Sequence, residues 1–170
     1  MKAFPVSVKL CLLCLLIFIG GCDRADQQNV NVDPGVLSAY SEYTAVKIDI
    51  LPLTGFVSPG EQDKSAKLRI YVSLLDSFDC QIKSPAVFRF ELYEHKDLSA
   101  DRKGSRVMFW PDINLNNSSE NNNHWKDYLR AYEFNFDFQP VKKQDYTLLV
   151  TSICPDGRRL SAEYYLKHTL

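Results

Sequence analysis

Alternation of apolar and polar residues dominates the chain from about residue 44 onwards. In the runs 67–74 (KLRIYVSL) and 132–138 (YEFNFDF), apolar side chains occupy every second position. Successive side chains of a strand point to opposite faces, so each run places one face on a core and the other in water. Such runs, labelled A to G, are predicted at 44–51, 66–76, 86–95, 105–110, 131–138, 145–153 and 158–167. About seven short strands separated by turn signals predict an all-β fold, a single antiparallel β-sandwich.

The segment before strand F carries a local resemblance. Phe138-Gln139-Pro140 followed by 145–150 (DYTLLV) resembles the run into strand F of fibronectin-type-III and other immunoglobulin-like domains. The resemblance implies an immunoglobulin-like sandwich and no particular function. In that topology strand B lies beside strand E, so we expect Lys67 and Arg69 to share an outer face with the polar side chains of strand E, namely Glu133, Asn135 and Asp137.

Turns and helices are sparse. The run 154–158 (CPDGR) predicts a tight hairpin between F and G, because proline presets φ and glycine accepts a positive φ. The sole helical pattern is at 123–130, and it predicts a helix of at most two turns. The polar run 112–123 (DINLNNSSENNN) is interpreted as a loop that contributes nothing to packing.

The N-terminal segment has the anatomy of an export signal. Lys2 and Lys9 precede an apolar run at 10–19, and two glycines follow it. The sequence 19–22 (IGGC) resembles the lipobox of bacterial lipoproteins, which implies cleavage before Cys22 and diacylglycerol, with an acyl chain such as palmitate, on its sulfur. A plain signal peptide is the alternative, whereas the run is shorter than the roughly 20 residues of a membrane-spanning helix.

These features predict three parts: a signal peptide at 1–21, a lipidated cysteine with a polar tether at 22–35, and a sandwich domain at 36–170. The mature chain would carry 18 basic and 21 acidic residues, a net charge of −3, which argues against nucleic acid as a partner. The expected location is the bacterial cell envelope. Asp23 resembles the retention signal of enteric lipoproteins and favours the periplasmic face of the inner membrane, with the outer membrane as the alternative.

Two cysteines remain in the predicted domain. Cys80 follows strand B and Cys154 closes strand F, two connections expected at the same pole of the sandwich. Disulfides persist in exported proteins, so we expect a Cys80–Cys154 bridge, with two free thiols as the alternative.

Signatures of catalysis are missing from the sequence. The histidines, His95, His124 and His168, lack metal-ligand spacing, and His95 is interpreted as a solvated strand end. No nucleophile-elbow motif and no glycine-rich phosphate loop occurs. We therefore predict no catalytic residues, no metal, no cofactor and a protein that is not an enzyme.

Two surfaces remain as candidates for binding. Trp110 and Trp125 lie beside loops, where exposed rings would stack on sugars, although capping the ends of the sandwich is the more common role. By strand parity Leu149, Tyr93 and Tyr165 share the outer face of strands C, F and G, which predicts a small apolar patch with a charged rim. The alternative is an ordinary strand surface.

The expected function is therefore a membrane-anchored envelope lipoprotein that binds or scaffolds another envelope protein. Small sandwich lipoproteins, among them the anchoring lipoprotein of type VI secretion systems, resemble this chain in size and layout, which implies an accessory subunit of an envelope machine. The rival hypotheses are a cell-wall polysaccharide-binding module using Trp110 or Trp125, and a hydrolase with an unrecognised site.

Overall fold

The computed structural model describes residues 43–57, 67–97, 102–138 and 144–167, which all belong to one compact unit. The predicted signal peptide, Cys22, Asp23, the tether and the first residues of the predicted domain lie outside the described residues. In the described part the strands are β1 (Lys47–Ile50), β2 (Gly55–Val57), β3 (Lys67–Leu75), β4 (Gln81–Ile82), β5 (Val87–His95), β6 (Lys103–Phe109), β7 (Ile113–Asn114), β8 (Trp125–Lys126), β9 (Ala131–Asp137), β10 (Tyr146–Ile153) and β11 (Arg159–Leu166), with one helix, α1 (Ser118–His124).

The strands form two antiparallel sheets. Sheet 1 has the order β1-β3-β9-β8, and β2 and β4 also pair with β3. Sheet 2 has the order β11-β10-β5-β6, and β7 also pairs with β5. The seven predicted strands correspond to β1, β3, β5, β6, β9, β10 and β11, so the all-β sandwich is confirmed. The finer assignment of this sandwich to the immunoglobulin-like class stays a prediction.

Aromatic side chains from both sheets fill the core. Phe88 and Phe90 of β5 meet Phe134 of β9, with ring centroids 5.1 and 4.7 Å apart. At the other end of the sandwich Tyr146, at the start of β10, is buried and its ring meets Phe138 at 5.6 Å. These side chains belong to the inward sets predicted by alternation, because one face of each strand must be removed from water.

The predicted neighbours B and E are confirmed as the pair β3 and β9. Lys67 lies opposite Asp137, and Arg69 lies opposite Asn135. The Arg69 Nε donates to Asn135 Oδ1 over 3.0 Å and lies 3.6 Å from Glu133 Oε1. The expected cross-strand match of charged and polar side chains is therefore present on the outer face of sheet 1.

The hairpin between β10 and β11 also forms as predicted. Gly157 has φ 85°, in the left-handed region that favours glycine. The Cys154 N–H donates to Arg158 O over 2.9 Å, and the Gly157 N–H donates to Cys154 O over 2.9 Å. This turn fixes the register of the two strands along their whole length.

The helix prediction was wrong in position. The segment 123–130 holds the end of α1, the short strand β8 and a turn, whereas α1 lies at Ser118–His124 inside the supposed loop. The Asn117 side chain accepts from the Ser119 and Glu120 N–H groups and so caps the helix. The polar run therefore does contribute to packing, since Asn121 of α1 is buried and hydrogen-bonded to the chain beneath it.

Candidate functional site

The outer face of sheet 2 carries the side chains that strand parity predicted. Leu149 of β10 lies between Glu91 of β5 and Glu163 of β11, and its neighbours in sequence are buried. Tyr93 and Tyr165 lie in the next row, on either side of Thr147. The three predicted patch residues therefore share one face, although Leu149 is diagonal to the two tyrosines and only partly exposed.

Ion pairs cross this face. The Arg106 Nη1 donates to Glu91 Oε1 over 2.9 Å, and the Lys103 Nζ donates to Glu163 Oε1 over 2.5 Å. Partial burial and its hydrogen bond to Glu91 raise the pKa of Tyr93. The Tyr165 hydroxyl donates to Asp145, which raises the pKa of Tyr165. The face is therefore more polar than the predicted apolar patch with a charged rim.

Strand β6 carries exposed apolar residues at one edge of sheet 2. Among the described strands it pairs with β5 alone, so its other edge has no strand partner in that part of the chain. Ser105 to Phe109 are all exposed, and the last three are apolar: Phe109 lies opposite Glu91 of the outer face, whereas Met108 lies opposite the core residue Leu92. The sequence predicted this strand but gave no reason to place it at an edge, because alternation does not specify strand order.

The first half of β6 is irregular. Its register with β5 shifts between Leu92 and Tyr93 and again between Tyr93 and His95. Gly104 lies where a Cβ atom would come within 3.0 Å of the Glu94 carbonyl oxygen, so the strand approaches β5 closely at this point. Such irregularities protect an edge strand from uncontrolled pairing with other strands. The residues of β6 that follow the register shifts are therefore the part of the edge that another strand could pair with.

Trp110 belongs to the core and is not an exposed ring. It is 8% exposed, and its ring lies 4.8 Å from that of Phe136 and 6.3 Å from that of Phe138. The sugar-stacking interpretation of Trp110 is therefore corrected in favour of its alternative, a ring that closes the sandwich.

Trp125 is half-buried at the pole where β3 ends and β9 begins. Its ring meets Tyr132 edge-on at 5.1 Å, and its Nε1–H donates to Asp127 Oδ1 over 2.7 Å. The Lys83 Nζ lies 5.9 Å from the ring centroid and donates to Asn122 Oδ1 over 2.6 Å. An ammonium group, and not open solvent, therefore covers this ring.

Two cavities meet at Lys83, and together we call them the Lys83 groove. One has a volume of about 510 Å³ and lies against α1, with Pro85 and Leu115 as its apolar lining. The other has a volume of about 460 Å³ and is lined by Tyr43, Gln81, Ile82, Trp125, Asp127 and Arg130. No sequence pattern indicated this groove, because its walls come from three separate segments of the chain.

Arg130 adopts a backbone conformation that is unusual for its type. Its φ is 50°, in the left-handed region, where a side chain with a Cβ atom costs about 1–2 kcal/mol. Its Nη2 donates to Gln81 O over 2.7 Å, which joins the turn before β9 to strand β4. Glycine or asparagine would fit this turn with less strain, so the guanidinium group is a feature that needs its own explanation.

The two cysteines are free thiols in this structure, which differs from the predicted disulfide. Both lie at the expected pole, Cys80 in the exposed turn after β3 and Cys154 at the end of β10. Cys154 points into the core, where burial raises the pKa of its thiol, while Cys80 faces solvent. A common pole is therefore not sufficient to align the two sulfur atoms, because a bridge also needs both Cβ atoms to face each other.

His95 is not a solvated strand end. Its side chain is 9% exposed, its Nδ1 lies 2.9 Å from Thr147 Oγ1, and its Nε2 lies 3.3 Å from Asp97 Oδ1. A carboxylate, an imidazole and a hydroxyl in series are the groups of an activated nucleophile. Thr147 is itself buried, however, so the series joins β5 to β10 and offers no accessible hydroxyl.

Within residues 43–57, 67–97, 102–138 and 144–167, histidine, cysteine and acidic side chains do not gather into a group that could hold a metal ion. In the same ranges no helix has the length and apolar character needed to span a membrane. The chain matches no protein-family model, and no curated protein is significantly similar to it.

Proposed function

We propose that the chain is a lipid-anchored protein of the bacterial cell envelope whose domain is a non-enzymatic module that binds another envelope protein. The lipobox-like sequence at Cys22 supports the anchor. The exposed apolar end of β6 supports the binding role and is the observation that carries it.

Strand β6 has the properties of an edge that accepts another strand. Val107, Met108 and Phe109 are exposed on this strand, and Met108 and Phe109 follow the last register shift with β5. Edge strands offer unpaired N–H and C=O groups, and an added strand binds through them, while side-chain contacts supply specificity. Natural sheets usually avoid large apolar residues at such an edge, so their presence favours a partner that covers them.

The charges of this strand indicate what the partner presents. Residues 102–109 (RKGSRVMF) contain three cations and no acid. Lys103 and Arg106 form ion pairs with glutamates of the outer face, Glu163 and Glu91. We therefore expect an extended segment with apolar and acidic side chains, since opposite charges on neighbouring strands stabilise their pairing.

With the proposed lipid anchor, even a weak contact between the domain and its partner would be sufficient for binding. A diacylated cysteine holds the domain at the membrane surface far more firmly than a single acyl chain would. Binding to a partner on the same membrane then becomes effectively intramolecular, with a high local concentration. Cys22→Ser is expected to abolish incorporation of labelled palmitate into the full chain, and a variant that is labelled like the parent chain would contradict lipid anchoring at this residue.

Site-specific photo-crosslinking in cells tests the proposed edge. A photoreactive residue replaces Phe109 in the full chain, and a second version carries it at Leu53, an equally exposed apolar position in the turn after β1. We expect one envelope protein to crosslink from position 109 and not from position 53, and Val107→Glu to weaken that product because added acid repels an acidic partner. Identical products from both positions, or none from position 109, would refute the proposal.

A further inference from the structure

We propose that the Lys83 groove is a binding site for a saccharide that carries a carboxylate. This site is separate from the β6 edge, and the inference does not depend on the protein partner proposed above. Its basis is a pair of cavities of about 510 and 460 Å³ that meet at one lysine. Ligand sites are concave and combine apolar lining with polar groups that fix orientation. The half beside α1 is lined mainly by apolar surface, and the half beside Trp125 contributes most of the polar groups.

The half beside Trp125 supplies rings and cations. Tyr43 and Trp125 line it together with Lys83 and Arg130. The Lys83 ammonium lies over the Trp125 ring at 5.9 Å in an exposed contact, which is a weak one that a ligand can replace. A sugar ring would then stack on the indole, while the displaced ammonium remains beside it.

The charge of this half favours an acidic ligand. Lys83 and Arg130 provide two cations against one carboxylate, Asp127, so the lining has a net charge of +1. The Asp127 side chain accepts from the Trp125 Nε1–H. Arginine carries five N–H donors, and the bond to Gln81 O uses one of them. This role would explain why an arginine occupies the left-handed turn at position 130: its guanidinium group donates to a carboxylate of the ligand. Arginine binds a carboxylate through two parallel N–H bonds, a geometry that lysine lacks.

The half beside α1 supplies groups that match hydroxyls. Asn116, Ser118, Ser119 and Asn122 line it with their amides and hydroxyls. Such side chains both donate and accept hydrogen bonds, as sugar hydroxyls do, whereas charged side chains do only one of these. Pro85 and Leu115 complete the lining with apolar surface for the less polar side of a ring.

Buried hydrogen bonds hold the groove in shape. Asn121 Nδ2 donates to Ser84 O over 3.0 Å and to Leu115 O over 2.9 Å, which fixes α1 on the segment before β5. The Tyr132 hydroxyl accepts from the Ser84 N–H over 2.8 Å and contacts Asn121 Oδ1 at 3.1 Å. A wall fixed in this way loses little freedom on binding, and such preorganisation favours affinity.

The test compares two disaccharides that differ in one acidic group. The purified full chain is titrated with N-acetylglucosaminyl-N-acetylmuramic acid and with chitobiose, which lacks the lactyl carboxylate, and binding is followed by calorimetry and tryptophan fluorescence. We expect the acidic disaccharide to bind at least about tenfold more tightly, the factor of one charge-assisted hydrogen bond. Equal binding of the two probes, or no binding of either, would overturn the proposal.

Variants locate the site. Lys83→Gln and Arg130→Asn remove the two cations, and asparagine tolerates the left-handed φ of position 130. We expect each to weaken binding of the acidic disaccharide about tenfold and to leave the melting temperature close to that of the parent chain. Lys47→Gln removes an exposed lysine outside the groove and serves as the matched control. Equal weakening by all three variants would indicate general charge attraction and refute the site. The β6 variant Val107→Glu is a second control and is expected to bind the acidic disaccharide like the parent chain.

Discussion

Asn121→Ala is expected to destabilise the domain by about 3 kcal/mol. The buried amide of Asn121 donates to the carbonyl oxygens of Ser84 and Leu115, and its Oδ1 shares the single Tyr132 hydroxyl proton with Ser84 O. Each intramolecular hydrogen bond contributes about 0.5–1.5 kcal/mol net, and a buried partner left unsatisfied adds to the loss. Alanine favours the helix over asparagine by at most about 0.7 kcal/mol, which offsets only part of this cost.

The matched control is Asn123→Ala in the same helix. Asn123 is exposed, so its replacement brings the same gain in helix propensity without breaking a buried network. Urea titration of the full chain, followed by circular dichroism, gives the difference between the two variants. About 3 kcal/mol corresponds to a melting temperature roughly 9 °C lower. A difference below about 1 kcal/mol would refute the inference that this amide holds α1 on the sandwich.

Three further predictions concern the core and the thiols. Trp110→Ala should cost about 3–5 kcal/mol in unfolding free energy, since the ring is buried against Phe136, and an unchanged urea midpoint would contradict this placement. In the native chain the exposed Cys80 should react at once with a thiol reagent, and the buried Cys154 should react only on unfolding. If neither cysteine reacts before a reductant is added, the two form a disulfide and this prediction is wrong. Burial raises the pKa of Tyr132, so the stability it contributes is complete below the unfolded pKa of about 10 and falls as the pH rises further. Unfolding measured across this range should show a smaller fall for Tyr132→Phe, and an equal fall would contradict the assignment.

Most of the long strands were predictable because each keeps an alternating pattern over several residues, whereas β6, with the burial pattern of an exposed strand, does not alternate. The inward set of β5, Phe88, Phe90 and Leu92, repeats often enough to specify which face is buried. By contrast, β4, β7 and β8 have two residues each, too few for any period to be recognised. They form because a longer neighbour offers a free edge to pair with, and this depends on the tertiary structure.

The helix was misplaced because two signals compete at 117–132. Apolar residues at helical spacing favoured 123–130, but the capping side chain of Asn117 starts the helix earlier. The helix then ends before Trp125, whose extended backbone allows β8 to pair with β9. An N-cap followed by polar residues was a signal present in the sequence, and it outweighed the apolar spacing.

The candidate sites show the same difference in predictability. Some depend on the pattern of residues within strands, and others are built from several separate segments of the chain. Parity within strands, together with the expected grouping of strands C, F and G in one sheet, placed Tyr93, Leu149 and Tyr165 on one face. The Lys83 groove and the open edge of β6 depend on which segments are neighbours, and periodicity carries no such information. Trp110 and Trp125 show the same limit, because both lie beside loops and only the packing distinguishes a core ring from a half-buried one.

The irregular and the regular parts of β6 differ, and the difference supports the selective edge that we propose. Register shifts as far as Val107 and the close approach of Gly104 distort most of the strand, and Lys103 is bound to Glu163 across the sheet, so an arbitrary strand finds no regular partner there. The end of the strand is apolar and exposed, and it would promote aggregation if the whole strand were flat. In the proposed function, a partner must match both the apolar end and the cations that precede it. This requirement would confine pairing to a complementary segment, and the proposed lipid anchor would place such an edge at high local concentration.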